Sequence, residues 1–112
     1  MLSQEYRLRR DKDFQRVFSK GKSVFDSACG VRFDKNNKKN SRFAIVVGTK
    51  VHKSAVKRNK IRRQYSEILR LSLDVIKPGF DVILLTSKAA LELDYDEKHT
   101  RLFKVFKKAG LL

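Results

Sequence analysis

Apolar and polar residues alternate along the chain in stretches that predict discrete elements. Phe14, Val17 and Phe18 recur at helical spacing between Asp11 and Lys20. That stretch predicts a short helix with Asp11 as N-cap and Gly21 as its stop. Val24 to Phe33 reads as one strand. Phe25, Cys29, Val31 and Phe33 fall on one side, while Asp26, Ala28, Gly30 and Arg32 leave the other side small, polar and open. Phe43-Ala44-Ile45-Val46-Val47 is apolar without interruption, as expected of a central strand covered on both faces. Phe80 to Thr86 reads the same way.

A long helix is predicted from Ala55 to Leu73, with Ser54 as N-cap. Ile61, Tyr65, Ile68 and Leu69 form its core stripe. A last helix starts after Asp94, where Asp94 and Glu97 have capping-box spacing. His99, Leu102, Phe103 and Phe106 share its apolar face, and Gly110 sits past its end. The polar run Asp34 to Ser41 predicts a hairpin loop, and Pro78-Gly79 marks a second turn. The order is helix, strand, strand, helix, strand, helix, with room for one more short strand. This is an α+β fold, one domain over residues 1–112.

Charge changes the picture more than composition does. The chain of 112 residues carries 27 Lys and Arg against 12 Asp and Glu, a net charge of +15. Solubility needs only about 2–8 net charges on a small domain, so a polyanionic partner is expected. Nucleic acid leads, and no membrane partner is expected: no apolar run approaches the roughly 20 residues of a span, and the N-terminus lacks a signal-peptide core. Cys29 is the single cysteine. It has no disulfide partner, which fits a reducing, cytoplasmic setting, and it alternates onto the core side of its strand as a structural thiol.

The basic residues concentrate at one place. Between Lys53 and Arg63 they go almost all the way round the start of the long helix, and Arg58 and Arg62 point along the packing stripe. A solvated basic face would account for charge on one side only. Charge on every side, beside helix N–H groups that favour anions, fits contact with phosphates. Lys57, Arg58, Asn59, Lys60, Arg62 and Arg63 are the candidate residues.

This segment, Ala55-Val56-Lys57-Arg58-Asn59-Lys60-Ile61-Arg62-Arg63, resembles the signature helix of the protein component of bacterial ribonuclease P. Arg7-Leu8-Arg9-Arg10, Phe14, Val17-Phe18 and Gly21 resemble that family's N-terminal segment, at the expected distance. Lys60 departs from the arginine at the third position of the family's motif; it keeps the charge and loses the bidentate fork. The resemblance implies an α/β sandwich with a mostly antiparallel four-stranded sheet, about three helices and a left-handed βαβ crossover, related to a ribosomal protein domain. It implies a protein that binds ribonuclease P RNA and precursor tRNA and assists removal of the 5′ leader. It implies that the RNA carries the chemistry with Mg2+, so that no cofactor is expected on the protein itself. The matching aromatics, Phe14 and Phe18, would line a cleft for the leader, with Arg32, Lys50 and Lys53 around it; packing of both rings against the sheet is the alternative. A ribosomal or other structural RNA-binding protein is the rival reading.

Nothing in the residues themselves offers hydrolysis. Only His52 and His99 exist. His99 lies on the apolar stripe of the last helix, while His52 precedes a helix start, where it can meet a phosphate. The acidic residues Asp11, Asp13, Asp94, Asp96 and Glu97 sit at helix starts, where capping and the helix dipole account for them. No catalytic or metal-ligating set is expected.

Overall fold

The computed structural model describes residues 2–112. Its elements run α1 (Asp11–Lys20), β1 (Lys22–Phe25), β2 (Cys29–Lys35), β3 (Arg42–Val46), α2 (Ala55–Leu71), β4 (Phe80–Thr86) and α3 (Tyr95–Ala109), with short 3-10 turns at Gln4–Tyr6 and Lys88–Glu92. The four strands form one sheet in the order β1-β2-β4-β3. β1 pairs antiparallel with β2, and β2 with β4. β3 runs parallel to β4, joined to it through α2.

Both long helices begin as their sequence directs. The Ser54 hydroxyl accepts from the Lys57 N–H at 3.4 Å. Asp94 accepts from the Glu97 N–H at 2.8 Å, and Glu97 accepts back from the Asp94 N–H at 3.3 Å, completing the capping box. Each cap is worth about 1 kcal/mol. Gly110 closes α3 at φ 77°, a left-handed geometry that favours glycine. α2 stops two residues short of the predicted Leu73. In α1 the N-cap is Arg10, without a side-chain cap, and Asp11 is the first helical residue. Asp11 and Asp13 therefore act on the helix dipole and not as caps.

Three strand expectations need correction. Val24–Phe33 is not one strand but a hairpin, because Asp26 breaks it. Its carboxylate accepts from the N–H groups of Ala28 at 2.7 Å and Cys29 at 3.0 Å, a local turn that reverses the chain. The Asp34–Ser41 run is not a hairpin loop: it carries the chain past β4, since β2 and β3 flank that strand. Phe43–Val47 supplies an edge strand, β3, and β4 is the central one beside it. The N-terminal segment covers that edge, with the Leu8 N–H donating to the Phe43 carbonyl at 2.9 Å and Arg7 bridging to Phe43. This cover is the physical reason an edge strand is so apolar.

The sheet has two unlike faces. Val31, Phe33, Phe43, Val82 and Leu84 face α2 and α3, where Tyr65, Ile68, Leu69, Leu102 and Phe106 complete the main core. On the opposite face α1 lays Val17 on Ile83 and Leu8, with Phe14, Ala44 and Leu85 around them. Asp81 holds this second layer together. Its side chain is fully buried and accepts from Arg42 Nε at 2.8 Å and Nη2 at 2.7 Å, and from Asn36 Nδ2 at 2.9 Å. Arg16 of α1 also donates to it, and is flanked by Asp34 at 3.5 Å. Burial pushes the Asp81 carboxyl up, but the hydrogen bonds from Arg42, Asn36 and Arg16 outweigh it and hold the group below the usual aspartate range.

Asp81→Ala leaves Arg42 and Arg16 without their buried partner and is expected to cost about 3–5 kcal/mol in urea unfolding at neutral pH. Because the folded carboxyl is depressed, its stabilisation is complete above the unfolded value of about 3.9 and fades as pH falls through the lower folded value. Acid titration of stability should therefore be shallower in the variant than in the wild type. Equal stability of the two proteins at neutral pH would show that Asp81 is not the anchor.

Candidate nucleic-acid interface

The start of α2 presents its cations in two distinct states. Arg58 is turned back on the protein: its Nη1 donates to the carbonyls of His52 at 2.9 Å and Lys53 at 2.8 Å. It thus clamps the segment that leads into the helix. Arg62 donates to Asn59 Oδ1 at 2.5 Å, one turn earlier, so Asn59 fixes its neighbour. Lys57, Lys60 and Arg63 are exposed. So is Val56, at 74%, an apolar side chain left bare among the charges. Lys60 stands near Lys98 of α3, which is buried and donates to the Leu93 carbonyl. Burial lowers the Lys98 pKa, and the Lys60 charge adds to that effect.

Asn59, Arg62 and Arg63 line a cavity of about 500 Å³ together with Arg7 and Arg9 of the N-terminal segment and Phe14 of α1. Leu2, Leu8, Phe43, Ala44 and Ile45 form its apolar wall. Three separate parts of the chain therefore converge there, with four arginines and Phe14 in the lining. Arg7 is tied by its Nε to the Leu2 carbonyl at 2.7 Å. Arg7 and Arg9 belong with the α2 residues spatially, and no periodicity could have placed them there, because the contact joins segments some fifty residues apart.

Phe14 and Phe18 part company. Phe14 is half-buried against Val17, Ile83 and Leu8 and faces the cavity. Phe18 is 46% exposed at the far end of α1. Arg32 lies over its ring, 5.7 Å from the centroid, and donates to the Phe18 carbonyl at 2.6 Å and to Ser23 Oγ at 2.7 Å. The Arg32 guanidinium thus fastens the end of α1 to β1.

Lys50, Lys53 and His52 meet elsewhere, in a shallow cavity of about 1020 Å³ beyond the ends of β3 and β4, with Thr86, Ser87, Lys88 and Leu91. His52 Nδ1 accepts from the Ser54 N–H at 2.9 Å, which leaves Nε2 as the ring's free donor. Lys88 is a cation of this group that its sequence context did not single out; the 3-10 turn after β4 brings it there.

The other chemistry-bearing groups are committed to the fold. The Cys29 thiol is buried, and burial with the nearby Asp26 charge pushes its pKa up to about 12, so it stays protonated at neutral pH. His99 stacks on Phe103 with ring centroids 4.2 Å apart. No group of three His, Cys, Asp or Glu among the described residues could hold a metal ion. Asp13, Asp34 and Asp81 do converge, but Arg16 and Arg42 already fill the space between them, so they do not suit Mg2+. No helix among the described residues is long and apolar enough to cross a membrane.

Comparison with known proteins agrees with this geometry along nearly the whole chain. The family model described as Ribonuclease P matches residues 2–110. The ribonuclease P protein component of Streptococcus agalactiae is 34% identical over 111 residues, covering 99% of this chain and 100% of that protein. That of Clostridium botulinum is 33% identical over 108 residues, 96% of each. Among solved structures, the RNase P protein of Staphylococcus aureus superposes with a TM-score of 0.87 at 30% identity, covering 95% of this chain and 96% of the other. That of Thermotoga maritima gives 0.83 at 34%, covering 91% and 96%. The chain belongs to the ribonuclease P family, as a protein component of the bacterial type, and is thereby one part of an endoribonuclease that processes tRNA.

Proposed function

We propose that this chain grips ribonuclease P RNA with the start of α2 and holds the 5′ leader of precursor tRNA on the open side of its sheet. The observation that carries this reading is the convergence of Arg7, Arg9, Asn59, Arg62 and Arg63 on one cavity beside Phe14. Phosphates neutralise guanidinium groups that otherwise repel one another, and Asn59 holds Arg62 ready for one. Lys57 and Lys60 extend the same basic surface, and exposed Val56 gives it an apolar contact for a sugar or base edge. Phe18 and Phe14 offer rings on which unpaired bases can stack without regard to sequence. Arg32 sets the Phe18 ring in place. Lys50, Lys53 and Lys88 flank the end of the sheet where a strand of RNA would leave. The RNA partner, with its Mg2+, supplies the hydrolysis, and the protein binds and orients; the compartment that fits is the cytoplasm.

The deciding experiment gives precursor tRNA to the protein alone and then to the protein with ribonuclease P RNA at low magnesium. Cleavage is expected only with the RNA present, and cleavage by rigorously purified protein would refute the reading. Phe18→Ala should weaken binding of leader-bearing substrate by about 1–3 kcal/mol, if its ring holds one base, and leave mature tRNA unaffected.

The two states of the α2 arginines separate in a paired measurement. Arg63→Ala should flatten the log–log salt dependence of RNA binding by roughly 0.7–0.9 while changing stability by less than about 0.5 kcal/mol. Arg58→Ala also loses its two carbonyl partners, and should lower stability by about 1–2 kcal/mol. Thermal melts beside salt titrations read both effects. A lowered melting temperature with an unchanged slope for Arg63→Ala would place the RNA elsewhere.

A further inference from the structure

The outer face of the sheet ends in a row whose two outer members stay exposed. Register places Phe25, Gly30, Leu85 and Val46 side by side on β1, β2, β4 and β3. Phe25 is 55% and Val46 39% exposed. Strand alternation sends Val24 into the main core and Phe25 outward. The Phe25 ring occupies the space a side chain at position 30 would take: a Cβ on Gly30 would lie 1.8 Å from Phe25 Cδ1 and 2.4 Å from Cε1. Glycine there lets the ring lie over the sheet, still open on its outer side. The strands of the next row supply no ring of their own; the ring beside that row is Phe18 of α1, under Arg32. That row contains Ser23, Arg32, Ile83 and Ala44, and Arg32 is already fastened to Ser23 and Phe18.

Phe25 also borders a second space, a groove of about 400 Å³ lined with Asp26, Lys104, Val105, Lys107 and Lys108. The three lysines are exposed on the last turns of α3. The one acid in the groove is engaged, since Asp26 accepts from the Ala28 and Cys29 N–H groups and from Arg101 at 3.2 Å. A ring that is bare on one side and leads into a cluster of cations suits a polyanion with flat faces. A second copy of the chain, itself at +15, would be repelled.

We propose that Phe25, seated over Gly30, is a base-stacking residue, and that single-stranded RNA crossing the open sheet face passes it into the groove of Lys104, Lys107 and Lys108. This rests on the reading of that face as the leader-binding surface and extends its track to the β1 edge.

The test uses the complex assembled with ribonuclease P RNA and precursor tRNAs with a graded series of leader lengths. Phe25→Ala is expected to lose about 5- to 150-fold in affinity for long leaders and nothing for the shortest leader or mature tRNA. Phe25→Trp should keep wild-type affinity. The chain has no tryptophan of its own, so its fluorescence reports position 25 alone and should be quenched only by leaders that reach it. Lys107→Ala combined with Lys108→Ala should weaken long leaders only and reduce their salt dependence. An unquenched Trp, a Phe25→Ala variant that follows wild type at every length, or equal loss on mature tRNA with a lower melting temperature would overturn the proposal. In those cases the open-face reading survives as long as wild type still distinguishes leader lengths. Wild type indifferent to the leader would overturn both.

Discussion

One buried carboxylate determines what the outer face of the sheet can do. Asp81 has no solvent to stabilise its charge, so it must be satisfied by protein donors, and each donor comes from a different part of the chain. Arg42 supplies a two-pronged contact from β3, Asn36 reaches in from the crossing loop, and Arg16 comes down from α1. The Asn36 side chain also binds the Asn40 carbonyl at 3.0 Å and accepts from the Lys38 N–H at 2.8 Å. A run of polar residues that reads as a slack linker is thereby shaped around the same anion. Removing any one donor leaves a buried charge poorly compensated, which is why such networks are costly to disturb.

Pinning α1 beside Asp81 decides which part of the outer face stays open. Val17 meets Ile83 in the middle of the sheet, and the helix ends at Gly21 beside Phe33, at the same end of the sheet as Asp81. A Cβ at Gly21 would meet the Val17 carbonyl oxygen at 2.3 Å and that of Phe33 at 2.8 Å, both backbone atoms that cannot swing aside. The chain therefore turns into β1 close against α1 and β2. A helix held across the Asp81 end of the sheet packs on the Ile83 row and leaves Phe25 and Val46 of the next row exposed. The two aromatics of α1 consequently occupy different environments, one at the α2 cavity and one beneath Arg32.

Local information in the sequence carried the helices well. Caps, apolar spacing and Gly110 act within a few residues, and α2 and α3 lie where those signals put them. Strand order depends on pairing between distant segments, and there the pattern misled. An uninterrupted apolar run implies cover on both sides but does not say whether a strand or a chain terminus provides it. At β3 the Leu8 segment provides it on the outer edge. The β1–β2 reversal was hidden for another reason: Asp26 keeps the polar alternation of a single strand while its carboxylate folds a turn. The basic start of α2 was legible because a helix basic on all sides cannot be packed. Its partners Arg7 and Arg9 were not, since only the tertiary fold brings them to the same cavity.

The fold also sorts its cations by the partner each one finds. Arg16 and Arg42 are consumed by Asp81 and its acidic neighbours, and Arg101 by Asp26. Arg58 and Arg32 bond to carbonyl oxygens of the chain, contacts that order the backbone without cancelling any charge. A guanidinium with several donors can hold a carbonyl on one side and still present N–H groups to an anion on another. Such residues do two things at once: they stiffen the surface and keep its positive field. Lysines, with a single flexible ammonium group, remain on the rims at Lys50, Lys53, Lys88, Lys104, Lys107 and Lys108. The arrangement puts two hydrogen-bonded arginines, Arg58 and Arg62, on the α2 surface and exposed lysines at the end and edge of the sheet. Under the proposed function this division suits a structured RNA, which needs fixed contacts in register, at α2, and a flexible single strand, which needs charge more than register, at the edge of the sheet.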